Sequence, residues 1–108
     1  MEFSDADFKN IHTNSVCVFL FYTKSCPPCK ISIRTLQELS HITELNSTSI
    51  YFHIVNGLNN PFLVKKFNVK SVPTVVMHHS SNNRYILQSG ILSYSEFEHM
   101  FDEILKEN

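Results

Sequence analysis

Apolar residues recur along this chain in two rhythms, and the changes from one to the other predict its elements. Residues 15–23 are almost unbroken β-branched and aromatic positions, the pattern of a strand covered on both faces at the centre of a sheet. Residues 49–55 repeat it. Between them, from Pro28 to about Asn46, Ile33, Leu36, Leu39, Ile42 and Leu45 fall at helical spacing among Arg34, Gln37, Glu38, His41 and Glu44, which predicts one long amphipathic helix. Ahead of the first strand, Ser4 with Asp5 and Asp7 is a cap for a short helix that carries Phe8 and Ile11 and ends near Thr13. After the second strand, Asn56-Gly57 opens a loop and Asn60-Pro61 caps a short helix with Phe62, Leu63 and Phe67.

The last third reads as a hairpin and a helix. Residues 74–79 and 84–89 have strand composition on either side of Ser80-Ser81-Asn82-Asn83. Pro73 is tolerated at a strand's first residue, where no ladder N–H is needed, and Gly90 marks a bend or bulge. Ser93 with Glu96 forms a capping box for a final helix whose apolar stripe is Phe97, Met100, Phe101, Ile104 and Leu105. Helices alternating with buried strands imply an α/β fold with parallel pairing through right-handed crossovers, closed by the hairpin. No repeat or linker interrupts the pattern, so one domain over residues 1–108 is expected.

Composition narrows the function classes. The 108 residues carry a net charge of −1 with no basic cluster, which speaks against nucleic-acid or anionic-membrane partners. The longest apolar run, residues 16–22, is far too short to span a bilayer. The N-terminal residues show neither a secretory signal nor a transit pattern, so a cytoplasmic, reducing setting is the expectation. There, Cys17, inside the first strand, reads as a buried and inert thiol.

The chemistry concentrates in Ser25-Cys26-Pro27-Pro28-Cys29-Lys30, two thiols three positions apart at the head of the long helix. Helix N-termini present unpaired N–H groups and a partial positive charge, and lower a cysteine pKa from about 8.5 to roughly 3.5–7.5 in such motifs. Cys26 is expected to be exposed and to attack, Cys29 to be shielded and to resolve the mixed disulfide. Pro28 suits the first helical position, Pro27 is pushed toward an extended conformation, and the stiff loop is expected to lean on the Cys29 amide. A metal reading stays open, with both cysteines binding zinc or an iron–sulfur cluster completed by a second chain, glutathione or His78-His79. Adjacent strand residues point to opposite faces, so both histidines cannot easily serve one site. The other histidines, His12, His41, His53 and His99, are scattered and read as surface or satisfied residues.

Together, Cys26-Pro27-Pro28-Cys29-Lys30 heading the helix, Val72-Pro73-Thr74 before a hairpin, and Ser89-Gly90 before a capped terminal helix resemble thioredoxin over essentially the whole chain. The resemblance implies a central mixed sheet of four or five strands flanked by about four helices, with the Val72–Pro73 bond cis beside the cysteines. It implies Cys26 and Cys29 as a redox pair that needs no organic cofactor, in a loop with Ser25, Pro27, Pro28 and Lys30. Val72, Pro73, Thr74 and Gly90 would meet the substrate, with the Val72 backbone offered to a substrate strand. Partners would be disulfide-containing proteins and an upstream thiol reductant or reductase, and the protein a monomer.

The chain also departs from the thioredoxin pattern. Ser25 replaces the usual tryptophan, Pro27 a glycine, and Arg34 the helix-kinking proline. Leu20 replaces the buried aspartate that helps deprotonate the second cysteine, and the lysine partner of that aspartate falls at Phe52. An adaptor that uses the fold as a binding surface, with little redox activity, is the third reading this leaves.

Overall fold

A computed structural model describes residues 2–106; Met1, Glu107 and Asn108, the ends of the expected domain, lie outside the described residues. β1 (Ser15–Tyr22) is buried over seven of its eight residues, as its unbroken apolar run predicts. It pairs in parallel with β3 (Thr48–Asn56) and antiparallel with β4 (Thr74–His79), which pairs antiparallel with β5 (Arg84–Ser89). A short strand, β2 (Glu44–Leu45), completes a five-stranded mixed sheet of order β2-β3-β1-β4-β5. The sheet is flanked by a 3-10 helix (Asp5–Asn10), α1 (Pro27–Leu39), α2 (Pro61–Lys66) and α3 (Tyr94–Ile104).

Alternation along β1 divides the core. Val16, Val18 and Leu20 face α1 and α3 and pack with Leu36, Phe97, Met100, Phe101 and Ile104. Cys17, Phe19 and Phe21 face the opposite layer, where Phe3, Leu63 and Phe67 close over them. Strand residues i and i+2 share a face, so one strand with apolar residues at every position needs a layer on each side.

Four expectations are corrected. α1 ends at Leu39 rather than near Asn46, and the chain turns back into the β2–β3 hairpin through Asn46 and Ser47, both at positive φ (50° and 64°). Ile42, in the turn after α1, and Leu45, in β2, still pack on the same core as Leu39, so a turn and a hairpin have met the burial demand that a longer helix would meet. The N-terminal helix is a 3-10 turn that stops at Asn10, short of Thr13, and the left-handed Asn14 (φ 52°) then swings the chain into β1. Asn60 precedes α2 without capping it by its side chain; the Asp5 carboxylate does so instead, accepting from Phe62 N at 3.0 Å and Leu63 N at 2.9 Å. Ile54, not Phe52, is the ladder neighbour of Leu20, because the parallel register sets Phe52 beside Val18.

Candidate redox site at the head of the long helix

β1 delivers the chain to the site at its carboxyl end. Cys26 is the N-cap of α1 in extended conformation (φ −112°, ψ 96°), and its sulfur accepts from the Cys29 amide at 3.2 Å. Pro27 and Pro28 occupy the first two helical positions. This moves the helix start one residue earlier than the expected Pro28, because the Cys26 sulfur takes the place of a capping oxygen. Neither proline has an N–H, so the first free amide of the helix is that of Cys29, and it points at Cys26. The expected dependence of the loop on that amide is therefore present.

Cys26 and Cys29 are joined as a disulfide with their Cα atoms 5.3 Å apart. Cys26 is half-buried and Cys29 only 1% exposed, the asymmetry their positions predict. Ser25, Pro27, Pro28, Lys24 and Lys30 are exposed around them. Leu20, six residues before Cys26 on β1, is fully buried in an apolar core, and β1 carries no carboxylate.

The other candidate stretch from the sequence is the turn into β4. The Val72–Pro73 bond is cis, and the ladder pairs Phe21 with Thr74, which carries Val72 alongside the chain just after β1. Val72 is half-buried and Pro73 buried. Val72, Thr23, Gly57 and the largely exposed Leu58 line a shallow groove of about 250 Å³. Thr74 Oγ1 donates to Ser71 O at 2.7 Å and meets Ser89 Oγ at 3.0 Å, while Gly90 N donates to Pro73 O at 2.9 Å. Gly90 has φ +95° with nothing near its missing Cβ, so glycine is required there by conformation rather than by space. Sequence reasoning did not single out Ser71 or Leu58 and quoted Ser89 only with Gly90, ahead of the terminal helix; the hydroxyl of Ser71 beside Val72-Pro73-Thr74 is the signal that could have found the first.

Other candidates are placed elsewhere. His79 pairs with Val16 and His78 with Cys17, at the start of β1 and the opposite end of the sheet from Cys26, so neither histidine completes a metal site with the cysteines. Among the described residues no cluster of three or more His, Cys, Asp or Glu could hold a metal, and no helix is long and apolar enough to cross a membrane. Tyr22 Oη donates to the Glu2 carboxylate at 3.0 and 3.1 Å, and burial together with that carboxylate pushes its phenol up. Its hydroxyl thus ties the N-terminal segment to the sheet.

Known proteins resemble this chain. A curated thioredoxin from Buchnera aphidicola subsp. Acyrthosiphon pisum (strain APS) is 29% identical over 110 residues, covering 100% of this chain and 94% of its own. Among solved structures, chloroplastic thioredoxin z is similar over 84% of this chain and 79% of that one, with a TM-score of 0.66 at 17% identity, a likeness of fold. The resemblance to thioredoxin thus holds in fold and in motif, and with it the general character of a thiol oxidoreductase. A family model matches residues 5–101, nearly the whole described fold, and the chain belongs to that family, described as TraF: F plasmid transfer operon protein.

Proposed function

We propose that this protein exchanges disulfides with protein substrates through Cys26 and Cys29. The observation that supports the reading is the pairing of a half-buried sulfur at a helix N-cap with a buried partner one turn on, at the end of the strand whose Phe21 pairs with Thr74 just after the cis Val72–Pro73 bond. In the reducing direction the Cys26 thiolate attacks one sulfur of a substrate disulfide. The substrate S–S bond breaks, a Cys26–substrate bond forms, and the leaving substrate thiolate takes up a proton. Cys29 then attacks the Cys26 sulfur, closes the intramolecular disulfide and expels the second substrate thiolate. An upstream thiol reductant or reductase restores the dithiol.

The groove along Val72 and Leu58 suits an extended substrate segment, held by backbone contacts to Val72 and tolerant of side-chain variety. The reaction requires no organic cofactor or metal. The setting proposed is cytoplasmic, with one domain acting as a monomer and without nucleic-acid or membrane partners. Dithiothreitol-coupled insulin reduction tests the reading: the parent turns over and Cys26→Ser falls to background. No parental turnover, or a substitution without effect, removes it.

The burial of Leu20 where thioredoxins carry an acid favours a second reading, an adaptor with residual chemistry. Recovery of the same stable partner by the parent and by a Cys26→Ser/Cys29→Ser variant, with neither active, selects it.

A further inference from the structure

The buried stripe of α1 is Cys29, Ser32 and Leu36. Ser32 is only 4% exposed, and its Oγ has no hydrogen-bond partner. A helical serine ordinarily returns its hydroxyl to the carbonyl four residues back, and Thr35 on the same helix does so, donating to Ile31 O at 3.3 Å. The Ser32 hydroxyl leaves the equivalent Pro28 carbonyl unused. Side chains lean toward a helix's N-terminus, and residues three apart lie one above the other with Cβ atoms about 5–6 Å apart, so the group above Ser32 is Cys29.

The two sulfurs of the pair are unequally supplied with donors. Cys26 has the Cys29 amide at 3.2 Å. Cys29 is buried, and Pro27 and Pro28 contribute no N–H. A thiolate there is penalised by burial unless a donor reaches it. In the disulfide form both sulfurs are neutral, and the Ser32 hydroxyl makes no hydrogen bond to either of them or to any other group.

We infer that the Ser32 hydroxyl is the hydrogen-bond donor that stabilises the Cys29 thiolate when the mixed disulfide is resolved. The inference rests on the disulfide-exchange reading for its place in the cycle. Cys29 gives its proton to water and holds its negative charge against Ser32 Oγ–H. Its sulfur then attacks Cys26, the bond between Cys26 and the substrate breaks, and the electron pair leaves on the substrate sulfur, which is protonated from water. The serine keeps its own proton throughout. As the charge on Cys29 disappears into the new S–S bond, the hydroxyl returns to its unpartnered state. With Leu20 at the position where thioredoxins carry an acid, Ser32 lowers the cost of releasing the proton.

The test titrates the ultraviolet absorbance of the Cys29 thiolate in Cys26→Ser and in Cys26→Ser/Ser32→Ala. Both proteins also carry Cys17→Ala, which leaves Cys29 as the titrating thiol. The Ala variant is expected to shift the Cys29 midpoint upward by about one pH unit, a tenfold smaller thiolate fraction below it. Ser32→Thr, which keeps the hydroxyl, restores the midpoint, and single-turnover resolution in the Cys26-containing chain shifts along the pH axis by the same amount. An unmoved midpoint in the Ala variant overturns the inference, as does an equal upward shift with Ala and with Thr, which assigns the effect to packing. Should the Thr variant fail to fold, the Ala midpoint decides alone. The titration needs no substrate, so a chain inactive on insulin still gives its answer.

Discussion

Cys17 and Cys26 belong to one continuous stretch of chain and differ in almost everything that decides reactivity. Cys17 sits inside β1, 2% exposed, packed with Phe19, Phe21 and Phe67, and burial holds its thiol up at about 11. Cys26 sits past the end of the same strand, where the chain has left the sheet and a helix begins, with an amide aimed at its sulfur. Inside β1 the ladder takes the backbone N–H groups, and the side-chain hydrogen bond from Ser15 is outweighed by burial of the Cys17 thiol; the start of α1 instead aims its first free amide, that of Cys29, at the Cys26 sulfur. Reactivity here is thus a property of where the strand stops.

The sharpest break of that comparison is differential alkylation. At neutral pH a thiol with a pKa of about 11 is ~10⁻⁴ thiolate, against roughly half for a helix-terminal cysteine near 7. The greater intrinsic nucleophilicity of the more basic sulfur returns some of this, leaving about a hundredfold before burial is counted. In reduced native protein, iodoacetamide is expected to complete reaction at Cys26 while Cys17 stays unmodified until denaturant is added, as read by peptide mass. Equal labelling of the two would refute the contrast.

A second experiment moves an ionisable group into the core between those cysteines. Leu20→Asp removes a fully buried side chain, for which core truncations cost about 2–5 kcal/mol, and adds a carboxyl with no partner. Burial raises the folded-state pKa of such an acid above its unfolded value near 3.9. The unfolded chain then ionises first as pH rises, so the loss should be greater at pH 7 than at pH 4. Urea midpoints at the two values measure it; a loss independent of pH would mean the carboxyl reaches water.

Much of this contrast was legible in the sequence, because it depends on local signals. The unbroken run of β1, the Cys-Pro-Pro-Cys head of α1 and the Ser93/Glu96 box each declare themselves within a few residues. What stayed hidden was set by pairings across the fold. Ile42 and Leu45 continue the helical stripe of α1, yet lie in the turn after it and in a hairpin, since either structure buries them on the same core; the turn at Asn46-Ser47 carried the weaker, decisive signal. Asp5 caps α2 from 57 residues away, a contact that no local pattern encodes. The neighbour of Leu20 required the β1–β3 register, and the loneliness of the Ser32 hydroxyl required coordinates.

The far end of the sheet responds to pH in its own way. His78 is 2% exposed on β4, with its Nε2 2.8 Å from Asn83 Oδ1 and its Nδ1 unpartnered, between the rings of Phe8 and Phe67. Burial lowers its pKa; Lys66 and His79 push the same way, against the Asn83 hydrogen bond. The native state therefore disfavours the imidazolium, and the unfolded chain gains a proton first as pH falls below about 6.5. Stability should decline from there until the folded-state pKa is passed, and His78→Gln should flatten that part of the profile. Thermal midpoints across pH 5 to 8 check this, and a parent and variant with parallel profiles would show that His78 does not titrate on folding.

The smallest effect belongs to α3, which lies against the same core face as α1 yet carries no chemistry. Ser93 Oγ accepts from Glu96 N at 3.2 Å while the Glu96 carboxylate accepts from Ser93 N at 2.9 Å, a reciprocal cap that holds the Glu96 carboxyl below its usual range. Gln88 Nε2 on β5 donates to the same carboxylate at 2.8 Å, so the cap also fastens the helix to the edge strand. Ser93→Ala removes the acceptor for one helix-end amide, which typically costs about 1 kcal/mol. Because this cap stands outside the cysteine loop, denaturant midpoints should fall by that amount while Cys26 alkylation in the folded protein keeps its rate. A cap mutation that changed the alkylation rate would mean the reactivity of Cys26 reaches beyond the strand end and helix start that frame it.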